Sequence, residues 1–422
     1  MSADAPMTST STPYAPPYDI AIVGLGPAGA AAATHLARAG WRVAAVDRAT
    51  FPRDKPCAEY LSPAAEPLLR DLGVLEEIAA SHPARLRGFR VYAPGGRMFQ
   101  GDFAATRDAS GRSLFETGLA VPRLRLDTAL VNAARRAGAE IRAGWRLAQL
   151  TRQETTGTWL LTPASDTPPI QARLLIAADG IHSTVARRLG LHAPGQLRKI
   201  ALVAHLRGIS GLGEYGEMHV AGRRYVGLAP LEPTSVGDLC NVAMVVDETR
   251  ERAALAGRAE AFLWEALRTF PRLRGRLAEA RVVRHTLTIS RLDVRARQRV
   301  ADGLLLIGDA AGYYDPFTGE GIYRGLSSAR LAAGVADSAL RQGDVHAPAL
   351  ARYDQLYRAE VRGRHLIEQV IQLGVHTPAL MDHLARVLAR RKPMADAIVA
   401  VTGDFLPASA ILRPGYLLRL LV

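Results

Sequence analysis

The sequence predicts an α/β protein: an open, mainly parallel sheet with helices on it, joined to a mixed, largely antiparallel sheet and a helical C-terminal region. Three observations predict it. Within about thirty residues, Asp19 to Asp47, an apolar run ending in glycines, a helix-forming stretch and a second apolar run follow one another, which is the β-α-β unit of a parallel sheet. Short apolar runs return near residues 175 and 305, each closed by an acid beside a glycine. Between those two returns lies a segment in which polar and apolar residues alternate between turn signals, as in antiparallel strands with one covered face.

Each element has a local cause. Asp19 to Val23 (DIAIV) is a short apolar run followed at once by glycines, as a buried parallel strand is. Ala28 to Arg38 is rich in alanine, the best helix former, and stops at Gly40. Trp41 to Val46 (WRVAAV) is the second strand. From Leu86 to Phe103 the pattern alternates, with Gly95-Gly96 as a hairpin signal. Pro122 to Gly138 carries the apolar stripe of a helix, and Arg173 to Ala178 (RLLIAA) reads as a buried strand. Lys199 to Val246 is rich in strands and turns, and Arg250 to Arg276 is helical. Gly303 to Ile307 (GLLLI) is a third buried strand and Gly325 to Arg341 a helix. Beyond Pro348 the chain is mostly helical, punctuated by Pro378, Pro393 and Pro407. These elements divide the chain into a leader (1–17), a discontinuous nucleotide-binding domain (18–84, 121–196 and 297–346), a substrate domain (85–120 and 197–296) and a C-terminal helical region (347–422).

Composition narrows the function. The chain has 422 residues, more than one ordinary core holds. Its 53 basic and 40 acidic residues leave a net charge of +13, yet Lys55, Lys199 and Lys392 are the only lysines. The surplus is dispersed arginine, suited to phosphate, carboxylate or acidic lipid rather than to a polybasic tail. Arg386, Arg390, Arg391 and Lys392 cluster on a helix and read as a solvated face, so no nucleic-acid partner is expected. Cys57 and Cys240, the only cysteines, make neither a disulfide framework nor a Cys-rich zinc site. The histidines lack metal-ligand spacing, and no metal is expected. Residues 1–17 lack the basic and apolar regions of a secretory signal and read as a disordered Ser/Thr/Pro/Ala leader. The longest apolar stretch, Ile20 to Ala33, is broken by Gly24, Gly26, Pro27 and Gly29 and is too short to span a bilayer. A cytoplasmic protein is expected, its membrane contact at most transient, through Tyr416 to Val422 (YLLRLLV). The oligomeric state is left open.

Three motifs carry chemistry. Gly24-Leu25-Gly26-Pro27-Ala28-Gly29 is a GxGxxG that follows a strand, opens a helix and meets an acid, Asp47, 18 residues past Gly29. That is the context a dinucleotide fingerprint needs: a tight turn, close backbone approach to a pyrophosphate, close helix–strand packing, and a carboxylate for a ribose diol. Gly211 to Gly216 also spells GxGxxG, but an alternating strand pattern follows it and no helix, so it reads as a turn. One dinucleotide site is therefore expected. The other motifs are Leu174 to Gly180, ending in Asp179-Gly180, and Leu305 to Gly312, holding Gly308-Asp309. Both place an acid at the carboxyl end of a buried strand, where parallel sheets bind ligands. After the second comes Asp315 to Ile322 (DPFTGEGI), a loop whose backbone N–H groups suit an electron-rich ring.

In this order the motifs resemble the FAD-dependent oxidoreductases of the aromatic hydroxylase (p-hydroxybenzoate hydroxylase-like) and geranylgeranyl reductase superfamily, over roughly Tyr18 to Ala333. The resemblance implies a Rossmann-like FAD-binding domain (GR2-type). It assigns the ADP half of FAD to Gly24, Gly26, Pro27, Ala28 and Gly29, and the adenosine ribose to Asp47, with Arg48 beside it. Arg123, in an R-x-x-hydrophobic-D pattern with Leu126 and Asp127, would contact the diphosphate and ribityl region. Asp179 and Gly180 would support the cofactor and the NAD(P)H path, and Gly308 and Asp309 would bond the ribityl chain. Pro316, Gly319, Glu320, Gly321 and Ile322 would lie along the isoalloxazine. Phe51 to Pro63, with Lys55 and Cys57, looks most like the geranylgeranyl reductase branch, whose cysteine lies near the flavin. The chain departs from that branch at Ala58, at Gly227 where many isoprenoid reductases carry Trp, and at Asp315 to Thr318.

The leading expectation is an NAD(P)H- and O2-dependent monooxygenase, a hydroxylase or epoxidase acting on a hydrophobic aromatic or olefinic small molecule, as in secondary metabolism. The alternative is a flavin-dependent C=C reductase of the geranylgeranyl reductase type, with Cys57 or Tyr225 as the proton donor. A flavin halogenase is less favoured: no lysine lies between Lys55 and Lys199, and the Trp-x-Trp-x-Ile-Pro signature is absent. So is a non-enzymatic basic surface binder. His205, Tyr313 and Tyr314 are secondary candidates for the substrate site.

Overall fold

The computed structural model describes residues 17–107, 111–112 and 115–421. The expected leader, Pro17 apart, lies outside the described residues. Tyr18–Val23 is the centre of an eight-stranded sheet, between Val43–Asp47 and Ile170–Ala177 and parallel to both. Glu140–Ala143 extends the parallel set on one side and Leu304–Leu306 on the other. The three buried apolar runs of the sequence are thus neighbours in space, and their carboxyl ends share one rim. The hairpin of Leu147–Arg152 and Trp159–Pro163 pairs with the first half of Ile170–Ala177, and Val300–Ala301 closes the edge in antiparallel sense. The alanines of helix Pro27–Arg38 are almost fully buried. Such small side chains let it pack closely on helices Arg123–Arg136 and Gly321–Arg341.

The second sheet has seven strands, in the order Arg281–Ser290, Lys199–Arg207, Cys240–Asp247, Arg224–Pro230, Gly216–Ala221, Gly88–Tyr92 and Met98–Asp102. Every neighbouring pair is antiparallel except Gly216–Ala221 with Gly88–Tyr92. Period-two alternation gives it two faces. Leu202, Ala204, Leu228, Val242 and Met244 pack with Phe262 and Leu263 of helix Ala259–Leu267. Ala201, Met218, Tyr225 and Val245 belong instead to the core shared with the C-terminal helices.

Those helices, Arg364–His376, Pro378–Arg390, Lys392–Thr402 and Pro414–Leu421, cover the end of this sheet. Gly101 makes the close approach possible: a Cβ there would meet Val399 at 2.4 Å and the Ala395 carbonyl oxygen at 2.6 Å. Gly216 opens a strand, as expected of the second GxGxxG. The helix expected over 250–276 is two helices, Glu248–Leu255 and Ala259–Leu267, because Gly257 between them takes φ +72°. The helix expected from Gly325 begins at Gly321, inside the glycine-rich loop.

Candidate active site

At the first rim, the three glycines divide their work. Gly24 has φ +100°, and a Cβ would stand 2.4 Å from the Ala178 carbonyl oxygen. One on Gly29 would stand 1.8 Å from the Gly24 carbonyl oxygen. Both positions need glycine for packing. Gly26 differs: a Cβ there would meet only guanidinium ends, Arg53 Nη2 at 3.5 Å and Arg123 Nη2 at 3.8 Å. Gly26 is also the N-cap of helix Pro27–Arg38 and no side chain caps it, so its first N–H groups are available to an anion. Asp47 ends its strand with Oδ2 accepting the Leu25 N–H (2.8 Å) and Oδ1 the Ala49 N–H (2.9 Å). Arg48 beside it is exposed and forms no ion pair among the described residues.

Arg123 is 4% exposed. It donates Nε to Asp127 Oδ1 and Nη2 to Oδ2, both at 2.8 Å, and Arg53 Nη2 lies 3.3 Å from the same carboxylate. Asp127 therefore aims two guanidiniums at Gly26, and Arg53 Nη2 also lies 3.8 Å from Asp47 Oδ2. Arg53 Nε is buried without a partner. A cradle of two arginines and free helix N–H groups fits the diphosphate of FAD.

From this cradle a cavity of about 1180 Å³ runs past Lys55, Cys57 and Asp309 to the small residues Ala201, Gly227 and Ala243 of the second sheet. Pro27, Ala28, Gly180 and Gly308 line it, as do Pro316, Gly319, Gly321 and Ile322. The Asp309 carboxylate accepts no hydrogen bond from the described residues, which leaves it for a ribityl hydroxyl. Gly319, φ +73°, is required where it stands, since a Cβ would meet the Tyr60 ring at 2.6 Å. Glu320 turns away from the cavity, to Arg324 (2.6 Å) and Arg364 (3.0 Å). Asp179 uses Oδ2 to cap helix Thr184–Arg188 through the Thr184 N–H at 2.6 Å, and burial pushes its carboxyl above the ordinary value. Its Oδ1 is buried without a partner. Burial and the repulsion of Arg123 push the Lys55 ammonium below its usual range.

The catalytic candidates part company. Cys57 lines the cavity and accepts the Glu59 N–H on Sγ at 3.3 Å. Tyr225 is not among the lining residues. Its hydroxyl donates to Asp315 Oδ1 at 2.6 Å, and burial and the Asp315 charge push it well above an ordinary phenol. Lys199 Nζ reaches Asp315 Oδ2 at 2.8 Å and also binds Gln372. Tyr225 and Lys199 thus anchor the start of the glycine-rich loop to the second sheet. His205 is buried and bonded through Nε2 to Glu59 Oε2 at 2.6 Å. Tyr313 lines the cavity, and Tyr314 packs edge-on against His365.

Glu59, Arg53, Asn241 and Lys199 were not singled out as functional by sequence reasoning. Glu59 is 1% exposed. It accepts the Arg123 N–H (2.9 Å) on Oε1 and Asn241 Nδ2 (2.7 Å) on Oε2. Burial raises its pKa, but the bonds from His205, Arg123 and Asn241 outweigh burial and hold it below the ordinary value. Asn241 also donates to the Cys57 carbonyl at 2.9 Å. A charged residue just before the buried pair Tyr60-Leu61 was the one available signal.

A second cavity, about 1110 Å³, adjoins the first, and Met218 lines both. Phe89 and Phe99 come from the sheet, Phe317 from the loop, and Ile367, Met381 and Leu388 from the C-terminal helices. No charged residue lines it. The tail that the sequence left without a purpose walls this space. Among the described residues no group of three His, Cys, Asp or Glu could hold a metal, and no helix is long and apolar enough to cross a membrane.

The family described as FAD binding domain matches residues 17–356. The chain is 32% identical over 326 residues to menaquinone reductase of Mycobacterium tuberculosis, covering 76% of each. It is 31% identical over 357 residues to digeranylgeranylglycerophospholipid reductase 1 of Methanothermobacter thermautotrophicus, covering 81% of this chain and 83% of the other. Conditioned medium factor receptor 1 of Dictyostelium discoideum is 26% identical over 415 residues, 94% of this chain and 79% of that one. Among solved structures, a flavoprotein/dehydrogenase from Cytophaga hutchinsonii has a TM-score of 0.79 at 19% identity, covering 92% of this chain and 93% of the other. The flavin-dependent halogenase CmlS has a TM-score of 0.73 at 24% identity, covering 83% of this chain and 63% of the other. At these identities the structural likeness concerns the fold alone.

Proposed function

Because the chain belongs to the FAD binding domain family and is an FAD-dependent oxidoreductase, we propose that it reduces carbon–carbon double bonds in the prenyl chain of a lipid-like substrate. The observation that carries this reading is the apolar cavity without a charged lining residue, which shares Met218 with the cofactor cavity. An extended hydrocarbon chain there meets aromatic and aliphatic walls, where a polar substrate would lose its hydration without compensation. Two relatives above 30% identity are named reductases, which supports double-bond reduction over oxygenation.

When bound and reduced by a donor such as NAD(P)H, the flavin would supply the hydride for one carbon of the double bond. The chain's own residues do the rest. Arg53 and Arg123 hold the diphosphate, and Asp309 the ribityl chain. Asp315, fixed by Lys199 and Tyr225, sets the course of the glycine-rich loop past the cavity. The second carbon takes a proton from the thiol of Cys57, the catalytic candidate that faces the cavity. Glu59 positions that thiol through its own N–H and through Asn241. The apolar walls exclude water from the reacting carbons.

Oxygen transfer is the second reading, favoured by the same dry cavity, which would also protect an oxygenating species from water. Incubation with NADPH and a prenylated quinone or a geranylgeranyl lipid, with and without O2, separates the two. Reduction yields a product richer only in hydrogen in both atmospheres. Product that forms only with O2 and carries an added oxygen atom would overturn the proposal in favour of the oxygenase.

A further inference from the structure

Ten large hydrophobic residues are exposed among the described residues, and six of them stand on two helices of the tail. Leu366, Val370 and Leu373 form one stripe along helix Arg364–His376, and Leu417, Leu418 and Leu421 project from helix Pro414–Leu421. They are 40–70% exposed. Both helices wall the apolar cavity, and Val370 and Leu417 line it while standing in solvent. Those two side chains therefore mark its mouth, and the other four stand on the same two helices. Isolated exposed leucines need no explanation, but a set of six on two helices that wall an uncharged cavity does.

Exposed arginines belong to the same part of the chain. Arg362, Arg413 and Arg419 are exposed, and none forms an ion pair among the described residues. From Phe405 to the end the sequence contains no acid. Helix Pro414–Leu421 is held from beneath, since Tyr416 is buried and donates its hydroxyl to the Met394 carbonyl at 2.7 Å. It is thus a docked helix with a free apolar side, not a loose end.

We propose that this face is a docking surface for a bilayer containing anionic lipid. The two helices lie in the interface with their leucines among the acyl chains, the arginines meet phosphate headgroups, and the cavity mouth opens to the hydrocarbon. The occupant follows from continuity and charge. Apolar rim and apolar cavity form one surface, which hydrocarbon can cover and enter, and the unpaired arginines complement lipid phosphate. A lipid-like substrate would then pass from membrane to cavity without crossing water. This deepens the proposed reading, but its test needs no turnover, so failure of the reductase assay leaves it standing and the reverse also holds.

The test is sedimentation of the full-length, FAD-loaded protein with phosphatidylcholine vesicles and with vesicles containing phosphatidylglycerol. The wild type is expected to sediment with the anionic vesicles, less at high salt. The double variant Leu418→Glu/Leu421→Glu should lose roughly tenfold in partitioning while keeping its flavin spectrum and circular dichroism. Leu373→Glu, on the other helix, provides an independent variant with the same expected loss. Wild-type protein that stays in solution with anionic vesicles would overturn the proposal. So would folded variants that bind like the wild type, or a dimer that both variants dissociate while vesicles capture nothing.

Discussion

Asp127 serves the cofactor only through the two arginines it aims, so those arginines, not the acid, set the affinity for FAD. Removing Arg123 deletes one charge-assisted contact of about 1.5–3 kcal/mol. Arg123→Ala is therefore expected to weaken FAD binding by roughly 10- to 100-fold in a fluorescence titration. Unchanged affinity would place the diphosphate elsewhere. The two catalytic candidates predict opposite mutants. Cys57→Ser should lower kcat and change FAD affinity less than Arg123→Ala does, because Arg123 keeps its two bonds to Asp127 and so stays aimed at the cradle. Tyr225→Phe deletes one buried bond to Asp315, lowers stability by about 1 kcal/mol, and leaves proton transfer in place. Loss of turnover in the Tyr225 variant at normal stability would reverse the assignment. The glycines, Asp47 and Arg123 were legible because each is fixed by near neighbours in the chain. Glu59 was not, since its partners His205 and Asn241 lie 146 and 182 residues away. For the same reason no local pattern announces the Lys199–Asp315 pair, 116 residues apart.

The tail is fastened at two kinds of contact. One is steric: Gly101→Ala puts a methyl 2.6 Å from the Ala395 carbonyl oxygen of helix Lys392–Thr402, so strand or helix must shift. The expected cost is about 1–3 kcal/mol, read as a lower thermal midpoint. The other is electrostatic. Glu320 and Arg324 of the loop and its helix meet Arg364 and Glu368 of helix Arg364–His376, with Asp404 bonded to Arg364. Three carboxylates share two guanidiniums, so one proton too few leaves a buried charge unpaired. Burial pushes Glu368 up to about 7 from an ordinary 4.5. The folded state then binds a proton that the unfolded state has released. Stability accordingly falls as pH rises from about 4.5 to about 7 on account of Glu368, and Asp404, whose carboxyl burial and Glu320 also push well above its ordinary value, adds a fall of the same sign. Glu368→Gln should flatten this part of the melting profile, and a variant with the wild-type slope would remove Glu368 from the role. Tail helices were legible from periodicity and proline punctuation, but neither signal contains the packing partner. The split at Gly257 was missed because glycine inside a helical pattern is ambiguous until its φ is known.

For the whole molecule, the nucleotide-binding sheet was readable because parallel strands buried on both faces leave continuous apolar runs, one ending in the GxGxxG and two in an acid beside a glycine. The second sheet was readable as alternation, but its register against the flavin loop depends on contacts between distant segments. Charge changed its meaning most. Much of the arginine surplus is tied into ion pairs such as Arg299–Asp354 and Arg276–Glu217. The arginines at the cradle are aimed at an anion site, and exposed arginines without an ion pair among the described residues, Arg48 and Arg419 among them, are spread over the surface. On the proposed reading, the exposed rim, the apolar cavity and the cofactor cavity would make one route from headgroup layer to reacting carbon. The most direct measurement of the central claim is the flavin absorbance of the pre-reduced, FAD-loaded protein under strict anaerobiosis, on addition of a prenylated lipid. The account predicts that the oxidised spectrum returns with the added lipid alone and that the lipid loses a double bond. A spectrum that stays reduced until O2 is admitted would contradict it.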